Sequence, residues 1–473
     1  MVEGVRLNSI NPATESSVWS GVCASSQDVL DAVNTAKTSF FDWARTSFAQ
    51  RQGYCERIQF HLQAHRDALA SCIVEETGKT SHEASLEVAG MINKITISIQ
   101  AFLERCPEKT HHADRRLLHL SHRPHGVVCV LGPFNFPGHL PMGHMIPALL
   151  AGNTIVFKPS EYAPKVGAYL YDLILKSGLP KGVVTIVQGG KDVGRLLTAH
   201  PDISGVFFTG SSVTGAALQE QFAKRPSVIL ALELGGNNPL LISKLKDKKA
   251  SIFGVIQSAF ASAGQRCTSA RRLIIVENTL PTGFLSELAA CIQCMKVGGD
   301  LGTAFMGPLI SESARQRVLE RQSYWKQKGG AVLVESKPIK PGFFLTPSLI
   351  DITGVDASID EECFGPLLTV QRVTSFEEGL RLCNQTGYGL SASLFSTSQA
   401  EFEAFFYSVK AGVVNWNTPT TGASSLMPFG GCGRSGNFRP GGYYAADYCA
   451  YPVSSSQSES LVLPEIVPPG LSL

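Results

Sequence analysis

The sequence predicts an α/β protein with two successive domains, each built around a parallel β-sheet that helices cover on both faces. Short segments rich in Val, Ile, Leu and Phe alternate with helical stretches from about residue 126 to residue 415. Strands that are buried on both faces have this near-continuous apolar composition, and crossover helices join them in parallel sheets. The length of 473 residues is enough for two or three domains with substantial cores.

The N-terminal region is predicted to be helical after a turn at Asn11-Pro12-Ala13-Thr14. Residues 27–41 and 50–76 repeat apolar side chains at a spacing of three to four, which indicates amphipathic helices. The second of these helices is expected to end at Thr77-Gly78-Lys79, because glycine favours a helix end. A third helix is predicted over residues 83–105.

Two series of alternating strands and helices follow. The first series has predicted strands 126–131, 153–158, 183–188 and 205–209 and helices 140–151, 164–177 and 191–200. The second series has predicted strands near 239–242, 272–276, 331–334, 367–373 and 412–415 and helices near 247–263, 280–295, 311–328, 376–384 and 399–407. The aromatic-rich segment 443–453 comes next, and the serine-rich segment 454–460 is expected to be loose.

The composition predicts a cytoplasmic protein that binds neither nucleic acid nor a membrane. The net charge of +2 provides no electrostatic attraction to polyanions. No uncharged apolar run reaches the length of a membrane span, and residues 1–12 lack the basic-then-apolar pattern of a secretory signal. The twelve cysteines are scattered along a long chain, so we expect reduced thiols rather than a disulfide framework.

Two groups of metal-type residues are not expected to bind a metal. A stretch predicted to form an exposed strand contains His111, His112, His119, His122 and His125. No Cys or carboxylate sits among these histidines at ligand spacing. Cys291 and Cys294 have redox-motif spacing, but they lie in a predicted helix without a second pair, so we interpret them as two helix thiols.

The candidate nucleophile lies in Gly264-Gln265-Arg266-Cys267-Thr268, within a run of small residues from 259 to 270. Small neighbours leave room for a substrate carbonyl beside the thiol, and such a thiol needs a partner for proton transfer. Glu233, at the end of an apolar strand before Gly235-Gly236, is the candidate partner. Taken alone, Cys267 is equally a small core residue, as most cysteines are.

Three segments could bind a nucleotide cofactor. Residues 207–215 form a strand, a glycine turn and the start of a helix, whose free N–H groups would attract a phosphate. Lys158 and Glu161 follow another strand and could hydrogen-bond a ribose. Glu362 and Phe364 lie in a turn with Gly-Pro. Each segment taken singly also fits an ordinary surface turn.

Together these motifs resemble those of the aldehyde dehydrogenase superfamily, in order and at roughly the same spacing, from about residue 10 to residue 453. The motifs are Phe134-Asn135-Phe136-Pro137, Lys158-Pro159-Ser160-Glu161, Phe208-Thr209-Gly210-Ser211, Glu233-Leu234-Gly235-Gly236, Gly264-Gln265-Arg266-Cys267, Glu362-Cys363-Phe364-Gly365-Pro366, Pro428-Phe429-Gly430-Gly431 and Gly433-Arg434-Ser435-Gly436. The resemblance implies two Rossmann-type domains plus a small β bridging element.

The resemblance also implies a role for each catalytic residue. Cys267 would add to an aldehyde carbon, giving a thiohemiacetal and then a thioester. The Asn135 side-chain amide and the Cys267 backbone N–H would hold the oxyanion. Glu233 would activate the water that hydrolyses the thioester, and would help to deprotonate Cys267.

By the same resemblance, the cofactor is NAD. Lys158 and Glu161 would hold the adenosine ribose, Glu362 the nicotinamide ribose, and Phe364 would lie beside the nicotinamide ring. The pyrophosphate would bind at the turn and the helix start, formed by Gly210, Ser211, Ser212, Val213, Thr214 and Gly215. Glu161 would repel a 2′-phosphate, which favours NAD over NADP.

The implied division of the chain has three parts. Residues 1–110 and 127–236 would form the NAD-binding domain, and residues 237–442 the catalytic domain. Residues 111–126 and 443–460 would form a two-stranded bridging element. Open strand edges on a projecting element need cover, so we expect a homodimer or a dimer of dimers.

A closer resemblance, to the branch of the superfamily that serves bacterial arginine catabolism, rests on Gly138-His139-Leu140-Pro141, Gly236-Asn237-Asn238-Pro239 and Tyr443-Tyr444-Ala445-Ala446-Asp447-Tyr448. It implies oxidation of N-succinyl-L-glutamate 5-semialdehyde. The substrate carboxylates would need cations, and the candidates are Arg271, Arg272, Arg434 and Arg439. The alternatives are another acidic semialdehyde, such as glutamate semialdehyde, or a non-catalytic NAD-binding relative.

Overall fold

The computed structural model describes residues 4–472, except for residues 114–115, 299–300, 357–358, 462 and 464–465. The described helices are α1 Ser26–Arg45, α2 Phe48–Ala64, α3 Arg66–Thr77, α4 Ser81–Arg105, α5 His139–Ala151, α6 Pro164–Lys176, α7 Lys191–Ala199, α8 Ser212–Phe222, α9 Lys248–Phe260, α10 Phe284–Gln293, α11 Glu312–Gln327, α12 Phe376–Cys383, α13 Gln399–Ser408 and α14 Ala445–Cys449.

The described strands alternate with these helices over most of the chain, which confirms the predicted α/β class. They are β1 Arg6–Ile10, β2 Ser17–Val22, β3 Lys109–Ala113, β4 Arg116–Pro124, β5 Val127–Leu131, β6 Thr154–Lys158, β7 Val184–Ile186, β8 Ile203–Gly210, β9 Ile229–Leu234, β10 Asn238–Lys244, β11 Ala270–Val276, β12 Ala331–Val334, β13 Pro338–Ile339, β14 Phe344–Leu345, β15 Ser348–Asp351, β16 Leu367–Val373, β17 Tyr388–Gly389, β18 Ser391–Ser396, β19 Val413–Trp416, β20 Pro428–Phe429, β21 Cys432–Gly433, β22 Gly441–Gly442 and β23 Ala450–Gln457.

The first large sheet is parallel throughout, with the strand order β7-β6-β5-β8-β9. Alternate side chains of β5 face opposite sides of the sheet. Val128 packs in the core with α4 and α5, whereas Cys129 packs in the core with α1 and α7. The carboxyl ends of parallel strands meet at one edge, which is where ligands bind in such sheets. Lys158, Gly210 and Glu233 lie at this edge.

The second large sheet has the strand order β12-β15-β16-β11-β10-β18-β19, and only its edge strand β12 pairs antiparallel within the described chain. Strands β15 and β18 were not predicted. Every residue of β18 is buried although three of its six residues are serine. The hydroxyls of Ser391 and Ser393 donate to the carbonyls of Thr420 and Thr418, so the buried polar groups are satisfied.

The predicted single helix over residues 50–76 is wrong. Helix α2 ends at Ala64, α3 begins at Arg66, and His65 between them has φ −112° and ψ 18°. The His65 ring Nδ1 lies 2.9 Å from the His61 carbonyl oxygen. The apolar repeat continues through His65, and this continuity conceals the break. The predicted end at Gly78 is correct, because Gly78 has a left-handed φ of 70°.

A third sheet joins the two ends of the chain, with the antiparallel order β23-β4-β3. It has three strands rather than the predicted two. The prediction that residues 454–460 are loose is also partly wrong, because Ser454 pairs with Leu120 and Gln457 pairs with Leu117. Backbone pairing with β4 orders these residues, and that pairing needs no apolar side chains.

Helix α4 is the described helix that is long and apolar enough to cross a membrane, with a hydropathy of 1.2 over its best window. The interior of this molecule already buries 44% of that window. Met91 and Ile95 lie in the same core as α5, and the helix also carries buried Glu87 and Lys94. These are the contacts of a core helix in a folded domain.

Candidate active site

Two cavities meet beside Cys267. The large cavity has a volume of about 710 Å³, within the range of roughly 300–1,000 Å³ typical of cofactor and ligand sites. The small cavity has a volume of about 210 Å³. Thr209, Glu233 and Cys267 line both cavities. A group bound in one cavity can therefore react at the sulfur with a group bound in the other.

Most of the predicted site residues lie around the large cavity. Those in its wall are Asn135, Glu161, Gly210, Ser211, Glu233, Cys267, Glu362 and Phe364. The structure thus brings the three candidate catalytic residues to one cavity, together with candidate cofactor residues that are distant in sequence.

A strained turn carries the chain into Cys267. Ser262 and Ala263 both have a φ of 55°, and Gly264 has a φ of 66°. Left-handed backbone costs a non-glycine residue about 1–2 kcal/mol. Any side chain at position 264 would also collide with the Gly365 carbonyl oxygen. This explains why glycine precedes the Gln-Arg-Cys sequence.

Side chains from other elements hold this turn in place. The Ser262 hydroxyl donates to Glu83 Oε1 at 2.7 Å, and Arg266 Nε donates to the Ser262 hydroxyl at 2.8 Å. On the far side, Asn238 Nδ2 donates to the Cys267 carbonyl at 2.7 Å. Contacts from α4 and β10 therefore fix the position of the sulfur.

The Cys267 thiol is neutral near pH 7 in this structure. Its pKa is raised to about 12, mainly by desolvation and also by the carboxyl groups of Glu362 and Glu233, against an opposing effect of Arg271. The Cys267 backbone N–H donates to no carbonyl among the described residues. It interacts instead with the Cys267 sulfur, where it favours a negative charge.

Glu233 is buried at the end of β9, and its side chain is only partly hydrogen-bonded. Oε1 accepts the Gly441 N–H at 3.1 Å, whereas the buried Oε2 has no hydrogen-bond partner among the described residues. Burial raises the pKa of Glu233 well above its usual value, and the Gly441 bond and the Lys94 charge offset this only in part. A carboxyl group with a raised pKa can exchange protons nearer neutral pH.

Asn135 lies in the loop between β5 and α5 and is buried. Its Nδ2 donates to the Gln265 carbonyl at 2.9 Å. A carboxamide NH₂ has two hydrogens, so this bond orients the group and leaves its second N–H available at the cavity wall. The loop of Asn135 and the loop of Cys267 are thereby tied together.

Lys158 and Glu161 lie at the carboxyl end of β6. Lys158 Nζ donates to the carbonyls of Pro159 and Gly189 at 2.8 and 2.7 Å and lies 3.9 Å from Glu161 Oε2. Burial lowers the pKa of Lys158. Glu161 is in the wall of the large cavity, whereas Lys158 lies behind it. Glu161 can therefore accept a hydrogen bond from a diol in the large cavity, whereas a contact of Lys158 with the adenosine ribose stays a prediction.

Only the first two residues of the predicted pyrophosphate turn reach the large cavity, namely Gly210 and Ser211. Ser212, Val213, Thr214 and Gly215 lie on α8, outside the cavity wall, and their contact with a pyrophosphate stays a prediction. Ser211 caps α8 by accepting the Thr214 N–H at 3.2 Å. A side chain at Gly215 would overlap Leu234, so this glycine permits close helix–sheet packing.

Glu362 and Phe364 line the large cavity together with residues from the carboxyl edge of the first large sheet. Glu362 Oε1 accepts the Gly236 N–H at 3.1 Å and lies 3.7 Å from Arg271 Nη2. Burial raises the pKa of Glu362. The Phe364 ring packs edge-on against Phe134, with centroids 6.0 Å apart. The loop before β16 thus meets the loop after β5 across the cavity.

The four arginines predicted near the substrate do not line the small cavity. Arg271 donates to the carbonyls of Gly365 and Arg266, and Arg272 donates to three backbone carbonyls. Arg434 and Arg439 are exposed. The guanidinium groups of Arg271 and Arg272 hold loops together, whereas Arg439 faces solvent and Arg434 donates a hydrogen bond to the Asp360 carbonyl. Proximity to the nucleophile in sequence does not by itself direct a side chain into the cavity.

Several residues of the cavity walls were missed. Lys94 and Arg266 line the small cavity. On α11 the residues lining the large cavity are Ala314, Arg317, Val318, Glu320, Arg321 and Tyr324. Their spacing places them on one face of a helix. The sequence shows that spacing, but it does not show that this face lines a cavity.

The histidine and cysteine groups form no metal cluster in the part of the chain that the structure describes. His111 and His112 lie on β3, His119 and His122 lie on β4, and His125 follows β4. Cys291 and Cys294 are exposed free thiols at the end of α10.

The fold and the site together define the class of the protein. The chain belongs to the aldehyde dehydrogenase family, whose model matches residues 2–452. It is 47% identical to the N-succinylglutamate 5-semialdehyde dehydrogenase of Ectopseudomonas mendocina over 474 residues, which cover 100% of this chain and 97% of that protein. Both resemblances predicted from the motifs are thereby confirmed.

Solved structures agree on the fold. A Sinorhizobium meliloti protein complexed with NAD, described as a methylmalonate-semialdehyde dehydrogenase, superposes with a TM-score of 0.92 at 25% identity, covering 98% of this chain and 96% of that chain. An NADP-dependent glyceraldehyde-3-phosphate dehydrogenase of Bacillus halodurans, complexed with NADP, superposes with a TM-score of 0.90 at 26% identity, covering 97% and 96%.

Proposed function

We propose that the protein oxidises N-succinyl-L-glutamate 5-semialdehyde to N-succinyl-L-glutamate with NAD, as a step of arginine catabolism. The observation that carries the proposal is the 47% identity to a dehydrogenase of that aldehyde over the whole chain. The geometry supports it, since Cys267 lies where two cavities meet and Glu233 lies beside it.

The residues around the large cavity fit NAD. Gly210, at the end of β8, and Ser211, the N-cap of α8, line the cavity, and a helix N-terminus attracts phosphate. Glu161 and Glu362 supply carboxylates that can accept hydrogen bonds from ribose hydroxyls. NAD held by these residues would supply the acceptor for the hydride that the substrate carbon loses. The carboxylate of Glu161 would repel a 2′-phosphate, which supports NAD over NADP.

Cys267 performs the covalent chemistry. Its thiol releases a proton to solvent, and the thiolate adds to the aldehyde carbon. The second N–H of the Asn135 amide and the Cys267 backbone N–H then stabilise the oxygen of the thiohemiacetal. Loss of hydride from that carbon leaves a thioester on the sulfur. Glu233 removes a proton from a water molecule, which attacks the thioester and releases the carboxylic acid.

Replacing Asn135 by alanine removes one of the two oxyanion donors. We expect kcat to fall by roughly 10²–10³-fold, which is the usual effect of losing one such donor. Steady-state NADH production measures this loss, and the melting temperature with and without NAD checks that the loop and the cofactor cavity are intact. A kcat within about threefold of the original protein would exclude Asn135 from the oxyanion site.

A panel of aldehydes tests the proposed reaction directly. NADH formation is measured with N-succinylglutamate 5-semialdehyde, glutamate semialdehyde and an uncharged aldehyde of similar length. The proposal predicts the highest kcat/KM for the succinylated substrate. A higher value for glutamate semialdehyde would reassign the substrate, and no NADH with any aldehyde would contradict the function.

We also infer the arrangement of the molecule around this reaction. Residues 1–110 and 127–236 bind NAD, residues 237–442 carry the nucleophile, and residues 111–126 and 443–460 bridge subunits. The three-stranded sheet supports a homodimer or a dimer of dimers, because its outer strands β3 and β23 present edges that a second subunit would cover. Twelve free cysteines support a reducing, cytoplasmic location.

A further inference from the structure

Lys94 is a buried cation without a partner in the wall of the small cavity. It lies on α4 and only 4% of its surface is exposed. Its ammonium group makes no hydrogen bond and no ion pair with any described residue. The two other buried lysines are satisfied. Lys79 pairs with Glu87 at 2.6 Å, and Lys158 donates to two carbonyls.

A buried ammonium group without a counter-ion is costly, because it loses its hydration and gains nothing in return. Proteins retain such a group where a ligand completes the site. Burial lowers the pKa of Lys94 to about 8, so the group is still mainly protonated at pH 7. A negative charge delivered to the small cavity would stabilise that form.

Among the described residues, no ion-paired negative charge balances the Lys94 ammonium group in the small cavity. The carboxyl group in the same cavity wall is Glu233, which is beyond ion-pair distance of Lys94 and has a raised pKa. His139 and His144 are uncharged, since burial lowers the pKa of each to about 3. The cations of the small cavity are therefore Lys94 and Arg266.

Arg266 is fixed but only partly used. Its Nε donates to Ser262 at 2.8 Å, and its Nη2 lies 3.4 Å from Glu83 Oε1. Its Nη1 donates to no described residue. The guanidinium group is thus held beside Cys267 with one end free at the cavity.

We propose that Lys94 binds a carboxylate of the aldehyde substrate in the small cavity, with Arg266 as the second cation of the same subsite. The inference rests on the proposed function and assigns its acid specificity to these two residues. Aldehydes that carry a carboxylate remote from the reacting carbon are the substrate class that this subsite selects.

A Lys94→Met variant tests the proposal, because methionine keeps the length of the side chain and removes the charge. The readout is the ratio of kcat/KM for N-succinylglutamate 5-semialdehyde to that for pentanal. We expect this ratio to fall by roughly 10- to 100-fold, mostly through KM, as for a lost hydrogen bond to a charged group. Lys94→Arg should restore part of the ratio. The matched control is Lys176→Met on the exposed face of α6, which should keep the original ratio.

A competing role for Lys94 gives a different result. If Lys94 acts only on Glu233, Lys94→Met lowers kcat for both aldehydes equally and leaves their ratio unchanged, which would overturn the proposal. Calorimetric binding of N-succinylglutamate to Cys267→Ala, with and without Lys94→Met, provides a measurement independent of turnover. Equal affinities would also overturn it. If Lys94→Met does not fold, Lys94→Gln is used in both measurements.

The proposed function and this inference fail in different ways. A wild-type protein that oxidises other acidic aldehydes but not the succinylated one would contradict the function. The selectivity ratio, measured with the acidic aldehyde that is oxidised, would still decide the role of Lys94.

Discussion

Replacing Cys267 by alanine is expected to abolish aldehyde oxidation while NAD binding remains. The sulfur is the atom that lines both cavities and can bond to an aldehyde carbon. Loss of a catalytic nucleophile costs on the order of 10⁴–10⁶ in kcat. Alanine is smaller than cysteine and carries no charge, so it leaves the large cavity open to the cofactor.

The measurement is NADH formation with excess enzyme, combined with NAD binding by fluorescence or calorimetry. Cys291→Ala is the matched control, because Cys291 is an exposed thiol on α10. This control should retain the rate of the original protein. Aldehyde oxidation that survived in Cys267→Ala would show that no thioester is formed at this sulfur.

The large sheets were predictable because their strands obey simple burial rules. Strand β5 is Val-Val-Cys-Val-Leu and every one of its residues is buried, as expected of a central parallel strand. Strand β18 was missed because serine hydroxyls replace apolar groups in it, and their partners are carbonyls about 25 residues further along. Local sequence patterns do not contain such distant hydrogen bonds.

The residues of the site that could be predicted from the sequence are those that belong to recognisable motifs. Cys267, Glu233 and Asn135 belong to motifs and line one cavity. Lys94 belongs to no motif, and its position on a helix face with Met91 and Ser98 was the available signal. A charged residue among buried positions indicates a polar function. The cavity that Lys94 lines exists only once the fold brings distant loops together.

None of the four candidate arginines lines the small cavity, for a related reason. Arg271 and Arg272 are adjacent to the nucleophile in sequence and lie on β11. Their side chains extend to opposite faces of a strand, where each guanidinium satisfies backbone carbonyls of neighbouring loops. They therefore shape the site from behind. Arg266, one residue before Cys267, lines the small cavity together with Lys94.

Replacing Glu233 by glutamine is expected to stop turnover after the first oxidation. Glutamine keeps the shape of the side chain and its bond to the Gly441 N–H, but it cannot take a proton from water. The thioester on Cys267 should then accumulate. We expect one equivalent of NADH in a rapid burst, followed by a steady rate lower by roughly 10²–10⁴-fold.

The pH profile separates this role from a structural one. Burial raises the pKa of Glu233 well above its usual value, and only the ionised carboxylate can act as a base. If hydrolysis of the thioester limits turnover, the steady rate of the original protein should rise with pH through that raised pKa and then level off. The rise should vanish in Glu233→Gln. Stopped-flow NADH formation from pH 5 to 9 measures both phases, with Glu220→Gln on the exposed face of α8 as the control. A variant without a burst would show that Glu233 is needed for the first oxidation and not only for hydrolysis. A variant with the same pH-dependent rise would assign water activation to another group.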